Sequence, residues 1–407
     1  MKQILQTSIW SHRDIRLVLP ARALSFAGDS IALIALMLRV SEGHGPAAIT
    51  ALLLAFAVPT VAMIPFAGRI VDGFDSRKVL VWSGLLQVVA GVGLALVHDL
   101  VHTLALVCVL QVGQAVAGPA WGALIPRIVG EDLVGPATGT SQALIGVAML
   151  AGSAAGGVLV GWAGTRGALL VDAGTFLVLV LVAQLVQTRR RPEPGSADEG
   201  GGVSAGLRAI FGDDLLRVLV PAIWLFVVAG EAVNVVEVFL ITGELGLGPS
   251  LYGAAGAATG AGAILGAWYS GRLNGDRSRA AGVVVGMAAI GGSSVLMGLA
   301  GNLVTLMIGA TAIGVGSGLL NAAASALVVT RSAETVRGRV IAALNGTVRS
   351  FSILAMLLGG LAGAVLGPRG TFVTCGLACA AAAAVVGALV ARSTAGTKDS
   401  ELEAVSH

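Results

Sequence analysis

Few of the residues in this sequence are charged. Asp, Glu, Lys and Arg make up 12% of its 407 residues, and 56% are hydrophobic. A soluble protein of this length is about a quarter charged and roughly 45–50% apolar. Because so little polar surface is available, the composition excludes a water-soluble globule of this size and predicts a chain that folds in a lipid bilayer.

Cysteine and aromatic residues are also scarce, whereas glycine is abundant. The chain has three cysteines, 4% aromatic residues and 59 glycines. Cys108, Cys375 and Cys379 lie in apolar runs and have the spacing of neither a disulfide framework nor a zinc site. Small residues allow membrane helices to approach each other closely. We therefore predict closely packed helices without a metal site.

The motifs of nucleotide binding and hydrolysis are missing from the sequence. It has no phosphate-binding loop of the Gly-x-x-x-x-Gly-Lys-Ser/Thr type, and its only lysines are Lys2, Lys78 and Lys398. The glycine-rich segment 314–318 lies in an apolar run without a preceding strand, which favours helix packing over phosphate binding. No nucleophile and base suited to hydrolysis are evident. We predict no cofactor and no enzymatic activity, so concentrative transport would have to use an ion gradient.

About twelve apolar stretches are long enough to cross a bilayer. A helix needs about 20 residues to span the hydrocarbon, where it satisfies its own backbone polar groups. The first stretch is too long for the apolar part of a signal peptide. The predicted fold is an all-α membrane protein with twelve transmembrane helices, at residues 17–40, 47–68, 79–97, 103–125, 137–161, 167–187, 217–241, 250–271, 280–300, 303–330, 340–366 and 370–391.

The basic residues fall almost entirely on one side of these stretches. With a cytoplasmic N-terminus, 20 of the 25 Lys and Arg residues lie in cytoplasmic segments. Only Arg39, Arg166 and Arg369 lie in outer segments, and Arg22 and Arg349 lie within stretches. Membrane proteins retain basic residues on the cytoplasmic side. We therefore predict a multi-pass protein of the cell's inner (plasma) membrane with both termini in the cytoplasm.

The two halves of the chain match each other at an offset of 203 residues. Arg69 pairs with Arg272 and Glu131 with Glu334, and such matches are informative because charged residues are rare here. A duplicated six-helix unit is typical of transporters that bind substrate near the bilayer midplane. The predicted organisation is a cytoplasmic N-terminus at 1–16, a six-helix bundle at 17–187, a flexible cytoplasmic linker at 188–216, a second six-helix bundle at 217–391 and a cytoplasmic tail at 392–407.

A charged motif stands between the second and third stretches. It reads Gly68-Arg69-Ile70-Val71-Asp72-Gly73-Phe74-Asp75-Ser76-Arg77-Lys78. The segment resembles the cytoplasmic signature loop of the major facilitator superfamily, Gly-x-Leu-x-Asp-Arg-x-x-Arg-Arg/Lys: Gly68, Asp72, Arg77 and Lys78 match, and Gly73 replaces the usual arginine. The resemblance implies the major facilitator fold and a gating loop that is latched by charge-assisted hydrogen bonds. The alternative is a solvated basic turn.

Other segments resemble one branch of that superfamily. Residues 119–127 (Pro-Ala-Trp-Gly-Ala-Leu-Ile-Pro-Arg) and 337–339 (Arg-Gly-Arg) are similar to segments of the enterobactin-exporter and macrolide-efflux branch of drug:proton antiporters. Gly152, Gly156 and Gly157 match the antiporter motif Gly-Pro-x-x-Gly-Gly, with a serine in place of the proline. The resemblance implies export of a small molecule in exchange for protons.

Ionisable side chains within the stretches are costly in lipid and are therefore candidates for function. Asp29 lies in the first stretch, with Arg22 two turns earlier on the same face. Glu231, Asn234 and Glu237 form one stripe on the seventh stretch. We predict that Asp29 and Glu231 bind the coupling ion or a substrate charge, with Arg22 as the partner of Asp29 and the other two residues lining the cavity. The alternatives are a structural ion pair for Asp29 and Arg22, and helix–helix hydrogen bonds for the stripe.

Four further polar residues within the stretches carry weaker signals. Gln114 lies in the fourth stretch, where many proton-coupled exporters of the resembled superfamily carry an arginine. Without that arginine, the proton route usual in those exporters is not expected here. Asn345 and Arg349 are four residues apart on the eleventh stretch, and we interpret them either as a second anion site or as interhelical or headgroup contacts. Asp172 lies just inside the sixth stretch, and we interpret it as a helix-start residue, with a ligand-binding role as the alternative.

Together these features favour a secondary transporter that exports small amphipathic molecules, a drug or a secondary metabolite, by proton antiport and alternating access. The expected partners are the small-molecule substrate, protons and the lipid bilayer, without nucleic acid, and a monomer is expected. The alternatives are proton-coupled uptake of a metabolite, a non-transporting receptor or scaffold on the same fold, and a membrane-embedded enzyme.

Overall fold

The computed structural model describes residues 8–130, 133–188, 203–332 and 337–405. Within these residues all regular secondary structure is helical, and a short 3₁₀ turn at Ile9–Ser11 precedes the first long helix. In chain order the helices are α1 (Arg13–Gly43), α2 (Pro46–Gly73), α3 (Ser76–Leu96), α4 (Leu100–Val129), α5 (Val134–Leu185), α6 (Val203–Gly212), α7 (Leu216–Val238), α8 (Pro249–Ser270), α9 (Asp276–Gly298), α10 (Leu303–Arg331) and α11 (Arg337–Val405). A π-helical turn at Phe239–Glu244 follows α7 directly.

Two of these helices are each divided at one glycine. Gly164 in α5 has a φ of 70° and Gly367 in α11 has a φ of 69°. Residues with a side chain rarely adopt such angles, so glycine is required at both breaks. The two glycines are equivalent under the offset of 203 residues seen in the sequence. We name the arms of α5 before and after the break α5a (134–163) and α5b (165–185), and those of α11 α11a (337–366) and α11b (368–405).

The helices supply twelve membrane crossings. In the described part of the chain nine helices are long and apolar enough to span a membrane, and two of them, α5 and α11, contain two spans each. A further crossing is α8, which has 22 residues and is rich in glycine and alanine. At about 1.5 Å per residue, such a helix covers the roughly 30 Å of hydrocarbon. The predicted all-α fold with twelve transmembrane helices is confirmed.

One segment of the predicted linker is helical. Residues 203–212 form α6, while residues 189–202 lie outside the described part of the chain. Ile210 is fully buried in an apolar cluster with Leu216, Val220 and Val328, and Leu207 packs against that cluster. The prediction of a flexible linker is therefore wrong at 203–212, because a single buried face is enough to hold a short amphipathic helix in a polar segment.

The chain packs as two compact units. The first unit contains α1–α5 and residues 247–257, which include the start of α8. The second unit contains α6, α7, the remainder of α8 and α9–α11. Within the first unit α1 packs against α5, and α2 packs against α4. Within the second unit α7 packs against α11, and α9 packs against both α10 and α11.

The glycines of the antiporter-like motif lie where α5a contacts its neighbours in the first unit. A Cβ atom on Gly152 would collide with the backbone of Ala27 in α1, and one on Gly156 would lie 3.1 Å from the Cα atom of Ile31. A Cβ atom on Gly157 would lie 2.9 Å from the Cα atom of a glycine in α8, Gly253. Because glycine allows helices in lipid to approach this closely, all three residues serve helix packing.

Gly152→Ala should therefore destabilise the protein, whereas Gly146→Ala on the same helix should not. A Cβ atom on Gly146 would meet no packed atom within 4 Å, so alanine there should stabilise the helix by about 0.5–1 kcal/mol. At Gly152 the added methyl group meets backbone, and overpacking of this kind costs roughly 1–3 kcal/mol. Thermal unfolding in detergent should show a lowered midpoint for Gly152→Ala only, and equal midpoints for the two variants would contradict this packing.

Arg331, at the end of α10, joins two aspartates in the second unit. Its Nη1 and Nε atoms lie 2.9 Å from Asp213 Oδ2 and from Asp276 Oδ2, respectively. The other oxygen of Asp213 accepts hydrogen bonds of 2.9 Å from the amides of Leu215 and Leu216 at the start of α7. Burial acts to raise the pKa of Asp213, but these amide bonds and the Arg331 guanidinium outweigh burial and hold that pKa below its ordinary value.

Asp213→Ala should lower the free energy of unfolding by about 2 kcal/mol. It removes a helix cap worth about 1 kcal/mol and a partly exposed ion pair worth up to about 1 kcal/mol. Asp213→Asn should lose about half as much, because the amide oxygen can still accept the two backbone bonds. Asp214→Asn is the matched control: its side chain is 80% exposed and pairs with Arg217, so the loss should stay below about 0.5 kcal/mol.

The effect of Asp213→Ala should also depend on pH. Because the folded-state pKa of Asp213 is lowered, its stabilising contribution is complete above the ordinary aspartate pKa of about 3.9 and is lost as the pH falls through the folded-state value. The difference in unfolding midpoint between the wild-type protein and Asp213→Ala should be constant near neutral pH and should narrow in acid. A difference that persists unchanged in acid would rule out the charged form as its origin.

Candidate functional site

Polar side chains from three helices meet around Asp29 in the first unit. Asp29 is half-buried in α1, and its Oδ2 atom accepts a hydrogen bond of 3.4 Å from Gln114 Nε2 in α4. The Oε1 atom of Gln114 accepts a bond of 2.9 Å from Gln87 Nε2 in α3. The two amides therefore form a chain of donors that points toward the carboxylate. Such a chain suits an acceptor that carries negative charge.

A second carboxylate, that of Asp172, lies beside Asp29. Asp172 belongs to α5b and is only 1% exposed. Its Oδ1 atom lies 2.6 Å from the position that a Cβ atom on Gly28 would occupy, so it packs against α1 at the residue before Asp29. The two carboxylates interact electrostatically. Because α5b begins after Gly164, Asp172 lies two turns inside the helix, and its interpretation as a helix-start residue is wrong.

The structure does not bring Arg22 and Asp29 together. Among the ion pairs of the described residues, none joins these two side chains. Their Cα atoms are about 10.5 Å apart along the helix, and the predicted direct partnership is not formed. Arg22 instead lines a small cavity of about 30 Å³ together with Gln114 and Trp121. That space is about the size of one water molecule.

The polar stripe of the second unit lies on α7. The Oε1 atom of Glu231 accepts a hydrogen bond from the Ser352 hydroxyl of α11a, and its Oε2 atom accepts one of 3.3 Å from Asn234 Nδ2. Glu231 therefore connects α7 to α11a through a charge-assisted bond. Ser352 is a partner that the sequence did not indicate, and its bond to Glu231 is a helix–helix hydrogen bond of the kind given above as the alternative for the stripe.

Glu237, three residues after Asn234 on α7, lines an internal cavity of the second unit. The cavity measures about 270 Å³, and Asn234 also lines it. Its other walls combine hydroxyl-bearing side chains (Thr259, Ser294 and Ser317) with large apolar ones (Phe226, Met297 and Phe372). Within the described part of the chain, the Glu237 carboxylate forms neither a hydrogen bond nor an ion pair. A lone carboxylate in a mostly apolar cavity can bind a cationic or hydrogen-bond-donating group.

The two polar residues of the eleventh predicted stretch lie apart from these clusters. Asn345 and Arg349 are exposed on α11a. As far as the structure describes their surroundings, neither side chain forms a hydrogen bond or an ion pair. The geometry therefore favours neither the second anion site nor the interhelical contact.

The charged motif between α2 and α3 has one contact within the first unit that the sequence did not predict. The guanidinium of Arg77 donates a hydrogen bond to the carbonyl of Val186, just after the end of α5b. Gly68 and Lys78 are exposed, and Lys78 lines an apolar groove with Trp82. The side chain of Asp72, the proposed latch, lies outside the described residues.

Several known proteins are similar to this chain. The profile of the Major Facilitator Superfamily matches two overlapping segments, residues 18–240 and 219–405. The MFS-type transporter YfiS of Bacillus subtilis (strain 168) is 25% identical over 383 residues, which cover 90% of each chain. The lysophospholipid transporter LplT of Salmonella heidelberg (strain SL476) is 30% identical over 189 residues, which cover 45% of this chain and 46% of LplT.

The fold is also that of a solved transporter. A POT family transporter crystallised in complex with 5-aminolevulinic acid matches with a TM-score of 0.76 at 11% sequence identity. The match covers 95% of this chain and 98% of the other. At this identity the similarity concerns the fold alone.

Proposed function

Because this chain belongs to the Major Facilitator Superfamily, we propose that it is a secondary transporter that exports small amphipathic molecules in exchange for protons. The proposal includes a monomer in the plasma membrane with both termini in the cytoplasm. The placement of 20 of its 25 basic residues in cytoplasmic segments supports that orientation. It also includes the branch of drug:proton antiporters that the segments at 119–127 and 337–339 resemble.

The cavity around Glu237 carries this proposal. Its apolar walls can bury the hydrophobic part of a substrate, and pockets of this kind hold small molecules with a few polar groups that set orientation. A volume of about 270 Å³ suits a compact molecule or one end of a larger one. The unpaired carboxylate favours a substrate with a cationic or hydrogen-bond-donating group. We therefore assign Glu237 and Asn234 to substrate binding.

Asp29 and Glu231 are the proposed coupling residues. Each is a carboxylate within a membrane-spanning helix, where ionisable groups mark ion pathways. Each also has a neutral hydrogen-bond donor as its partner, Gln114 for Asp29 and Ser352 for Glu231. Among the described residues neither carboxylate forms an ion pair with a basic side chain. The sequence has no nucleotide-binding loop, so the proton gradient is the proposed energy source and no catalytic step is required.

The proposed transport cycle is alternating access, in which the substrate cavity opens to one side of the membrane at a time. Gly152, Gly156 and Gly157 would act in this cycle as the antiporter motif that they resemble, through the tight packing of α5a. The loop at Gly68, Asp72, Arg77 and Lys78 would gate the cytoplasmic side. The bond from Arg77 to Val186 supports a role in holding one end of α5b.

A second candidate substrate is a phospholipid with a single acyl chain. The first unit has an apolar groove of about 480 Å³, lined by Phe74, Trp82 and Leu86, with the ammonium group of Lys78 at its wall. The groove could accept an acyl chain, and the lysine could contact a phosphate. The similarity to a lysophospholipid transporter over 189 residues favours this candidate over other lipids.

Transport by inside-out membrane vesicles should test the export proposal. The vesicles should accumulate at least one member of a panel of amphipathic amines, neutral amphiphiles and lysophospholipids. Accumulation should stop when an ionophore collapses the pH gradient, because the proposed mechanism takes its energy from that gradient. Accumulation that is independent of the gradient, or absent for the whole panel, would contradict proton-coupled export.

Two glutamate variants should separate coupling from substrate binding. Glu231→Gln should abolish gradient-driven accumulation while substrate binding persists, because it removes a proton-binding group but not a cavity wall. Glu237→Gln should weaken the binding of cationic substrates and spare neutral ones. The control is Glu244→Gln, since Glu244 is exposed and pairs with Arg369 at 3.2 Å, and it should behave as the wild-type protein. Unchanged pH-dependent transport by Glu231→Gln would exclude its coupling role.

A further inference from the structure

Asp172 has an oxygen atom that nothing in the structure satisfies. Within the described part of the chain, its Oδ1 atom is buried without a hydrogen-bond partner, and the residue is 1% exposed. Buried polar atoms nearly always have a partner, so an orphaned one points to an ion, a water molecule or a proton at that position. The hydroxyl of Thr175 also interacts with the Asp172 side chain, but it donates its hydrogen to the backbone carbonyl of Asp172 at 2.7 Å.

Asp29 is the charged neighbour of this oxygen atom. Asp172 Oδ1 packs against Gly28, and the two aspartates interact electrostatically. Two like charges that interact within a membrane-spanning unit repel each other more strongly than they would in water, because the effective dielectric constant there is lower. Arg22 is the other charged group that faces this region, and it forms no ion pair with Asp29. A single proton bound to the pair would remove this repulsion.

The surroundings of the pair provide donors and a path but little space. Gln114 donates to Asp29, and Gln87 donates to Gln114. The adjacent cavity, which Gln114 and Arg22 line, measures about 30 Å³. It can hold about one water molecule. Because Gln114 lines the cavity and is bonded to Asp29, a water molecule there would lie one side chain away from the pair.

We propose that Asp29 and Asp172 share one proton and together form the proton-binding site of the first unit. The shared proton lies between the two carboxylates, where a protonated Asp172 can donate to Asp29 and its oxygen atom is no longer orphaned. This inference deepens the proposed function, on which its role in transport rests: the first unit holds the proton, and the cavity of the second unit holds the substrate. Asp172 is thus a functional residue rather than a structural one.

Carbodiimide labelling of the purified protein in proteoliposomes should test the shared proton. A hydrophobic carbodiimide reacts with protonated carboxyl groups in the membrane, and peptide mass spectrometry identifies the labelled residue. Near neutral pH the wild-type protein should be labelled at Asp29 or Asp172. Asp172→Asn should slow the labelling of Asp29 by about tenfold, and Asp29→Asn should slow that of Asp172 by a similar factor, because strongly coupled sites titrate as one pair.

A control variant and a test with Na⁺ decide how the labelling is interpreted. Glu244→Gln lies outside the pair and should leave the labelling of both aspartates unchanged. Asparagine is isosteric with aspartate, and each variant should elute as a monodisperse species, so that a folding defect is recognised before labelling. If each aspartate is labelled at the wild-type rate when the other is asparagine, the shared proton is excluded. If Na⁺ in place of choline protects both aspartates, the pair binds Na⁺ and the proposal is wrong.

The labelling requires neither substrate nor transport. Independent labelling of the two aspartates would therefore overturn the shared proton while leaving the export proposal intact. Conversely, a lack of gradient-driven accumulation in vesicles would contradict export without affecting the labelling result. The two proposals can fail separately.

Discussion

A carboxylate within a membrane has no water to bond with, and the polar structure of this protein follows from that constraint. Glu231 is bonded to Ser352 and Asn234. Glu237 has no such partner among the described residues, but it lines a cavity large enough for a ligand. The Oδ1 atom of Asp172 has no hydrogen-bond partner among the described residues, and its charged neighbour is a second carboxylate. The cost of placing a carboxylate in the membrane is therefore offset differently at each of these residues. The type of surroundings indicates what each carboxylate binds.

Close helix packing determines which polar groups meet. Asp172 reaches α1 only because residue 28 is glycine: a Cβ atom there would lie 2.6 Å from its oxygen. Gly152 and Gly156 bring α5a against α1 in the same way. In lipid there is no hydrophobic force to drive helices together, so such contacts depend on small residues. The abundance of glycine in the sequence is thus a property of the site as well as of the fold.

The two units break at equivalent positions of the repeat, but their arginines act from positions that are not equivalent. Gly164 and Gly367 are equivalent and have nearly the same φ angle. Arg39 donates to the carbonyls of two residues at the end of α3, and Arg369 does the same at the end of α9. These arginines are not equivalent under the offset, and the equivalent of Arg369 is the exposed Arg166. A basic group at the C-terminus of a helix is favourable. The first unit places one there from α1 and the second unit from α11.

The sequence alone determined that the chain folds in lipid, that it has twelve membrane-spanning helical segments and that Asp29, Glu231 and Glu237 lie within them. These conclusions depend on composition, length and periodicity, which are local properties of the chain. Only the tertiary structure decided that Asp29 interacts with Asp172 and forms no ion pair with Arg22, and that Glu237 lines a cavity while Glu231 is bonded to Ser352. Partners on separate helices are set by which faces pack together, and in a chain so rich in interchangeable small and apolar residues that choice leaves almost no local signal.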